Sequence, residues 1–433
     1  MKRILIIMGN HSPESSSVAN CIEPLIEELV NNGFEIDIVT DRKQVKIPQY
    51  ERMDNINVYR VDDCRAMNTI TLYELQQIES TKTLKILTQL FIFILKACYY
   101  IRYCSFAIEK PVAGWQEKAI LTKCVELHKN HNYNVVISVS LPFKSHHIAN
   151  QFTQVIDKPI KWYIFEFDPF SFNKRIAKSE RMHKKLFKDE YNMFQSCDKI
   201  FLTPELYKFY SKTKFSAFIE KFISIPYANM QPINFNKEEV NEIKMNCEKI
   251  NCIFTGRLYK DIRNPSYAFK LFSQLNNNIH FTLITNFTID IIKQNVTCFE
   301  DKFSIYPFQT RDTSLSSLMN ADILINIGNT VEFQIPGKIF EYMSTGKPIV
   351  HFSKFPDDPA LIYLEKYPMV LIINEWEDNI KEQSILLEKF CIDYAGSKLS
   401  YEQVCDALEG LDGKSVTSKF VETINRLLQK EKI

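Results

Sequence analysis

The chain opens MKRILIIMGNHSPESSSVANCIEPLIEELVNNGFEIDIVT, Met1 to Thr40, and the reading of this stretch sets the fold class. An apolar run, Arg3–Met8, passes into a polar loop, Gly9-Asn10-His11-Ser12-Pro13-Glu14-Ser15-Ser16-Ser17. Apolar residues then recur at Val18, Cys21-Ile22, Leu25-Ile26 and Leu29-Val30, the 3.6 period of a helix with one buried face. Gly33 stands where a helix ends, and Phe34–Thr40 reads as a second strand. The stretch is a βαβ unit, which predicts a parallel sheet with right-handed crossovers.

The same alternation continues. Strand Val135–Val139, helix Lys144–Phe152 and strand Ile160–Phe165 are followed by a long polar helix, strand Lys199–Leu202 and a helix from Pro204. The pattern resets near Ile223-Ser224-Ile225-Pro226-Tyr227, and a charged stretch, Asn236–Lys249, leads to a second opening strand, Ile250–Phe254. Helix Tyr267–Leu275, strand Phe281–Ile284, a helix near Thr313–Met319, strand Ile323–Ile327, a helix from Gly337 and strand Pro348–Phe352 follow. Ser415–Leu428 reads as an amphipathic helix with Phe420, Ile424 and Leu427-Leu428 on one side. Two doubly wound α/β domains in tandem are expected, 1–228 and 229–414, with a helix at 415–433 packing back on the first. In such folds ligands sit at the carboxyl ends of the strands, so the cleft that the two domains face is the expected active site.

Composition excludes several classes. The chain has 53 Lys+Arg against 52 Asp+Glu and a net charge of +1, so no nucleic-acid partner is expected. Eleven cysteines without a C-x-x-C pair give neither a zinc ribbon nor a disulfide framework and read as buried thiols in a reducing compartment. The apolar run at the N-terminus is too short for a signal peptide, and a cytoplasmic protein is expected. Leu84–Cys104 is interrupted by Lys85, Gln89, Lys96 and Arg102, too polar for a confident membrane span. It reads as a core helix or as a helix lying on a membrane surface. Lys174, Arg175, Lys178, Arg181, Lys184, Lys185 and Lys188 form either a solvated face or a dock for anionic lipid.

Only ten of 433 residues are glycine, against a usual ~7%. There is no G-x-G-x-x-G and no phosphate-loop motif, which lowers the case for a dinucleotide enzyme or a P-loop ATPase. Four of the ten, Gly256, Gly328, Gly337 and Gly346, fall at strand and helix ends of one expected pocket. In ADILINIGNTVEFQIPGKIFEYMSTGKPIV, Ala321–Val350, a strand ends in Gly328-Asn329-Thr330 and a Pro336-Gly337 turn starts a helix. Lys338 adds a positive charge in its first turn, and Glu341 follows one turn later, placed to accept from a ribose diol. Either residue alone would read as a solvated charge; with glycines at both helix ends the pattern reads as a nucleotide site. Phe254-Thr255-Gly256-Arg257-Leu258-Tyr259-Lys260-Asp261-Ile262-Arg263 places Arg257, Lys260 and Arg263 after a glycine at a strand end, suited to a diphosphate or to a surface loop.

Taken in order, these motifs resemble the GT-B glycosyltransferases, in particular the family-four-like bacterial enzymes of capsule and cell-surface polysaccharide synthesis. The likeness runs through Ser140-Leu141-Pro142 to His146-His147-Ile148-Ala149, Trp162 to Asp168-Pro169, Ser196-Cys197-Asp198-Lys199-Ile200, Ile225-Pro226, the G-R-L loop and Pro336–Pro348. It implies a donor UDP- or GDP-sugar on the C-terminal domain, an oligosaccharide or lipid-linked glycan acceptor on the N-terminal one, and retention at the anomeric carbon. Peripheral contact with the inner face of a membrane is the alternative that Leu84–Cys104 and the basic run keep open. No D-x-D motif is apparent, so no cofactor or metal requirement is expected. Glu341 matches the ribose-binding second glutamate of the family's E-x7-E motif, and Arg257 its phosphate-binding arginine. Lys260 or Arg263 stands in for the partner lysine, and Phe333 occupies the place of the first glutamate, beside Glu332.

On the acceptor side, Asp168 resembles the position where related enzymes hold a histidine or aspartate near the reacting sugar. The alternative reading of the residue is the cap of a helix starting at Pro169, and the functional one is preferred. Asn10 and His11 lie in the first βα loop, where His11 either orients an acceptor or satisfies the loop. His146 and His147 are adjacent, a spacing that disfavours a metal. The alternative to an active transferase is a catalytically silent GT-B module partnering one, a reading kept by Phe333; a nucleotide-sugar epimerase is a third use of the same fold.

Overall fold

A computed structural model of the chain describes residues 2–13, 16–63, 115–173, 176–236, 243–286, 290–298, 302–377 and 379–429, with isolated positions at 86–87, 89–91, 93–94 and 240. It divides into two compact units, Met1–Pro226 with Thr417–Ile433, and Tyr227–Val416. The first carries strands β1 (Lys2–Ile7), β2 (Phe34–Arg42), β3 (Tyr50–Met53), β4 (Ile56–Asp62), β5 (Val135–Val139), β6 (Lys161–Glu166), β7 (Lys199–Leu202) and β8 (Phe222–Ser224). Its helices are α1 (Ser17–Asn31), α2 (Trp115–His131), α3 (Lys144–Val155), α4 (Glu180–Ser196) and α5 (Pro204–Ser211). The strand order is β3-β4-β2-β1-β5-β6-β7-β8, parallel except for the edge pair β3–β4.

The second unit carries β9 (Ile250–Thr255), β10 (Ile279–Ile284), β11 (Phe303–Tyr306), β12 (Ile323–Ile327), β13 (Ile349–Ser353) and β14 (Val370–Asn374). Its helices are α6 (Ser266–Gln274), α7 (Asp290–Cys298), α8 (Arg311–Asn320), α9 (Lys338–Ser344), α10 (Leu361–Leu364), α11 (Ile380–Tyr394) and α12 (Tyr401–Ala407). All pairs in the order β11-β10-β9-β12-β13-β14 are parallel. A last helix, α13 (Gly413–Gln429), enters the first unit at Thr417. There Phe420 packs against Phe165 and Phe201, with ring centroids 6.0 and 5.4 Å away.

The central strands are apolar throughout because helices cover both faces: every residue of β5, β12 and β13 is buried. Helix α1 starts where Ser16 accepts the Ala19 amide at 3.0 Å, the expected capping bond. The expected doubly wound parallel sheets are both present. The β3–β4 hairpin, helix α2 and the elements β14 and α11 were not among the expected elements. The hairpin's outer strand β3 is an edge whose residues alternate between exposed and half-buried, so it lacks a long apolar run. Among the described residues no helix is long and apolar enough to cross a membrane. Most of Leu84–Cys104 lies outside the described residues, as do Lys174 and Arg175.

At the carboxyl end of the first sheet a polar chain is sealed in the core. The Trp162 indole donates to Ser138 Oγ at 2.7 Å, Ser138 Oγ lies 2.7 Å from His146 Nδ1, and His146 Nε2 lies 3.2 Å from Glu166 Oε1. Glu166 also bonds Ser140 Oγ. Burial pulls His146 down to about 3 and pushes Glu166 up to about 8, so at neutral pH the pair is a hydrogen bond between neutral groups. Glu166 has a folded value above its unfolded one, so its contribution to stability is present at acid pH and is lost as pH rises through about 8. Glu166→Gln mimics the protonated acid. In urea unfolding, wild type and variant are expected to be nearly equal at about pH 5, with the variant progressively the more stable toward about pH 9. Parallel curves across that range would mean that Glu166 ionises normally.

Candidate functional site

The strand order of the second sheet reverses between β9 and β12, and the loops leaving these two strands build the candidate site. Gly256 ends β9 with φ +150, a backbone that side chains resist. Its carbonyl accepts Thr285 Oγ1 at 2.7 Å and its amide donates to Ile284 O at 3.0 Å. Asn286 grips the next turn, accepting the Leu258 amide at 2.9 Å and donating to its carbonyl at 3.2 Å. Arg257, between these anchors, is exposed, with its guanidinium 5.5 Å from the centroid of the Phe308 ring.

The loop after β12 closes onto this one. Arg263 Nε donates to Asn329 Oδ1 at 3.0 Å, and Arg263 Nη1 donates to the Arg257 carbonyl at 3.3 Å. Thr330 donates its amide to Ile262 O and its hydroxyl to Asp261 O, both at 2.9 Å. A Cβ on Gly328 would lie 2.8 Å from Phe352 O and 2.9 Å from Asp358 Oδ2, so only glycine fits. Of the two stand-ins for the partner lysine, Arg263 is fixed beside Arg257, whereas Lys260 is exposed.

Helix α9 is tied to the end of β9 by Tyr342, whose hydroxyl accepts the Thr255 amide at 2.9 Å. Gly337 precedes the helix, exposed, with nothing within 4 Å of where a Cβ would stand. Lys338 and Glu341, expected to meet a ligand separately, face each other as an i,i+3 pair at 2.5 Å. Glu341 therefore keeps Oε1 for a second donor. Under the loops lies a layer that sequence reasoning missed. His351 joins Asn326 at 2.7 Å to Asp358 at 3.0 Å. Lys354 donates to Asn264 O at 2.7 Å and to both Glu375 oxygens at 2.6 and 2.7 Å. Burial pulls the Lys354 pKa down and pushes that of Glu375 up.

In the first unit the candidate residues also lie at carboxyl ends of strands. Asn10 accepts the Lys43 ammonium. His11 is buried, burial lowers its pKa, and its Nδ1 has no hydrogen-bond partner among the described residues. A Cβ on Gly9 would lie 2.0 Å from Pro142 Cδ, so the loops after β1 and β5 are in direct contact. Asp168 sits half-buried in a turn after β6. No helix begins at Pro169; the next, α4, is capped by Ser179, so Asp168 is not a helix cap. His147 pairs with Asp189 at 2.8 Å. Among the described residues no group of three or more His, Cys, Asp or Glu could hold a metal ion.

No protein-family model and no curated protein matches the sequence. Solved structures do match along nearly the whole chain. Sucrose-phosphate synthase from Thermosynechococcus elongatus superposes with a TM-score of 0.67 at 11% identity, over 99% of this chain and 100% of that one. The lipopolysaccharide outer core galactosyltransferase WaaB matches with 0.54 at 12%, over 98% and 99%. The E. coli trehalose-6-phosphate protein bound with UDP-2-fluoro glucose matches with 0.56 at 11%, over 99% and 99%. The fold is GT-B, with two parallel-sheet Rossmann-like units.

The Lys354–Glu375 pair supplies a direct test of the layer beneath the loops. Both side chains are largely buried, 8% and 14% exposed, so Lys354→Met strands a carboxylate and is expected to cost about 3–5 kcal/mol in urea unfolding. The double variant Lys354→Met/Glu375→Leu is expected to recover most of that loss. A single variant as stable as wild type would show that the pair does not hold the loop.

Proposed function

We propose that the chain is a glycosyltransferase that moves a sugar from a UDP- or GDP-sugar to a lipid-linked surface-glycan acceptor, with retention at the anomeric carbon and without a metal. The observation that carries this reading is the closure of the β9 and β12 loops. Arg257 and Arg263 leave the same loop at the carboxyl edge of the sheet, where Arg263 bonds the Arg257 carbonyl and Asn329 and the Arg257 guanidinium lies over Phe308. Two guanidinium groups at a strand-order reversal suit a diphosphate. Lys338, beside Gly337, adds a third cation, and the open Oε1 of Glu341 suits a ribose hydroxyl.

In the proposed step the bond from the anomeric carbon to the diphosphate oxygen breaks as the acceptor oxygen bonds to that carbon. The acceptor proton passes to the departing diphosphate. No side-chain base is needed, and the protein contributes positioning and stabilisation of negative charge on the leaving group. Asp168, Asn10 and His11, at carboxyl ends of strands in the first unit, are assigned to the acceptor side on the family resemblance. The UDP-2-fluoro glucose complex and the galactosyltransferase among the similar structures support this choice of donor and reaction. Phe333 replaces the acid expected for the donor sugar, so its hydroxyls are read by other groups. Exposed Ile86, Leu87, Leu90, Phe91, Phe93 and Ile94 support contact of the same chain with a lipid surface.

The test is titration of the protein with UDP and GDP, then release of either from UDP-glucose, UDP-galactose, UDP-N-acetylglucosamine and GDP-mannose with and without EDTA. Arg257→Ala is expected to weaken nucleotide affinity by roughly tenfold to a hundredfold, the weight of charge-assisted bonds of about 1.5–3 kcal/mol. Glu341→Gln is expected to weaken it less, and EDTA to change nothing. Absence of binding to any nucleotide, or turnover unaltered in both variants, would sink the reading.

A further inference from the structure

Helix α4 carries a carboxyl group that its amphipathic pattern does not call for. Leu186, Glu190, Met193 and Phe194 form its buried face, and Glu190 is 0% exposed. An ionisable group is sealed in a core only when its lone pairs are satisfied. Glu190 Oε1 accepts the Phe170 amide at 2.9 Å and the Tyr210 hydroxyl at 2.6 Å. Glu190 Oε2 accepts the Ser171 amide at 3.1 Å and the Ser171 hydroxyl. Three of these four donors come from two consecutive residues, directly after Asp168-Pro169. The same helix reaches the turn once more, where His183 Nδ1 donates to Ser171 O at 2.8 Å. Phe143 stacks on Phe170 with centroids 4.0 Å apart, closing the other side.

The turn needs such a clamp. It follows β6 with no helix of its own, and Pro169 has no amide to donate. Burial pushes Glu190 up to about 7 against the pull of its donors, so the position is held at a cost in stability. A leucine there would fill the core but could not accept the turn's two amides. We infer that Glu190 is a positioning residue, a four-coordinate carboxylate clamp that fixes the Phe167–Phe172 turn and with it the Asp168 carboxyl. The inference rests on the transferase reading, in which Asp168 stands beside the reacting sugar.

Glu190→Gln keeps the shape but brings two N–H donors toward a site built of donors. Tyr210→Phe removes a bond from the same carboxylate and none from the turn, and it controls for general loss of packing. Hydrogen–deuterium exchange of the full chain, read on a peptide covering 167–173, is expected to be about tenfold faster in Glu190→Gln, with Tyr210→Phe close to wild type. Release of UDP or GDP from the sugars named above is expected to show a kcat reduced at unchanged donor KM in Glu190→Gln. Its combination with Asp168→Asn should be no worse than Asp168→Asn alone.

Exchange unchanged in Glu190→Gln would overturn the clamp whatever the activity. Faster exchange with wild-type kcat, or additive loss in the double variant, would overturn the positioning role. Turnover of none of the sugars by wild type would overturn the transferase reading and the role with it, while the exchange measurement would still decide whether the clamp exists.

Discussion

The second unit depends on one constraint: at a strand-order reversal, neighbouring parallel strands send their following chains to opposite faces and leave an opening between them. Loops that border such an opening cannot find partners in the sheet, so their backbone groups have to be satisfied by each other or by side chains. Here the loop after β12 supplies both. Thr330 pairs with the carbonyls of Asp261 and Ile262, and Asn329 receives Arg263. A loop carrying three basic residues is thereby held in one conformation. Without these bonds the guanidinium groups would sample many rotamers, and the entropy of ordering them would fall on ligand binding. The glycines follow from the same constraint. Gly256 supplies a backbone turn, and Gly328 lets the second loop pass against Phe352 and Asp358.

Both units place buried or largely buried carboxyl groups beneath the carboxyl edges of their sheets. Glu190 and Glu166 lie under the β5 and β6 loops, and Asp358 and Glu375 under the loops of the second sheet. Such groups weigh against stability when compared with apolar residues of equal volume. What a hydrocarbon cannot do is accept several N–H donors at once and so dictate the path of irregular backbone. Leucine in place of Glu190 would leave the Phe170 and Ser171 amides buried without a partner. The polar cores thus follow from the presence of unsupported loops at these edges.

Central strands were legible because their signal is local: β5, β7 and β12 read from apolar runs with the same bounds that the structure gives. The edge strand β3 was not, since its exposure removes the apolar run; β14 and α11 were not read either, although Val370–Ile373 is an apolar run. The glycine positions marked the loops after β9 and β12, where Arg263 bonds Asn329 and the Arg257 carbonyl. Residues that hold the loops were invisible for a different reason. Lys354 reaches Asn264 across 90 positions, and Glu190 reaches Phe170 across 20. No spacing rule links such partners before the fold is known. Lys338 and Glu341 are the opposite case, because their i,i+3 spacing on one helix is itself the signature of a pair.

That pair bears on how the site distributes its charge. A cation engaged by a carboxylate has much of its field cancelled, whereas one held by a neutral group keeps it. Lys338 belongs to the first kind, since Glu341 stands 2.5 Å away. Arg257 belongs to the second, because the Phe308 ring fixes the guanidinium through its quadrupole without neutralising it. The Asn329 amide plays a comparable part at Arg263 Nε, as an uncharged acceptor that sets direction. Arg257 and Arg263 therefore meet neutral partners in the β9 loop, and Lys338 meets a carboxylate at the start of α9. On the proposed reading an anion at this edge meets Arg257 without a carboxylate partner among the described residues, and the Lys338–Glu341 pair offers a donor and an acceptor together. The arrangement suits a ligand with a charged end and a hydroxylated end better than it suits a bare phosphate.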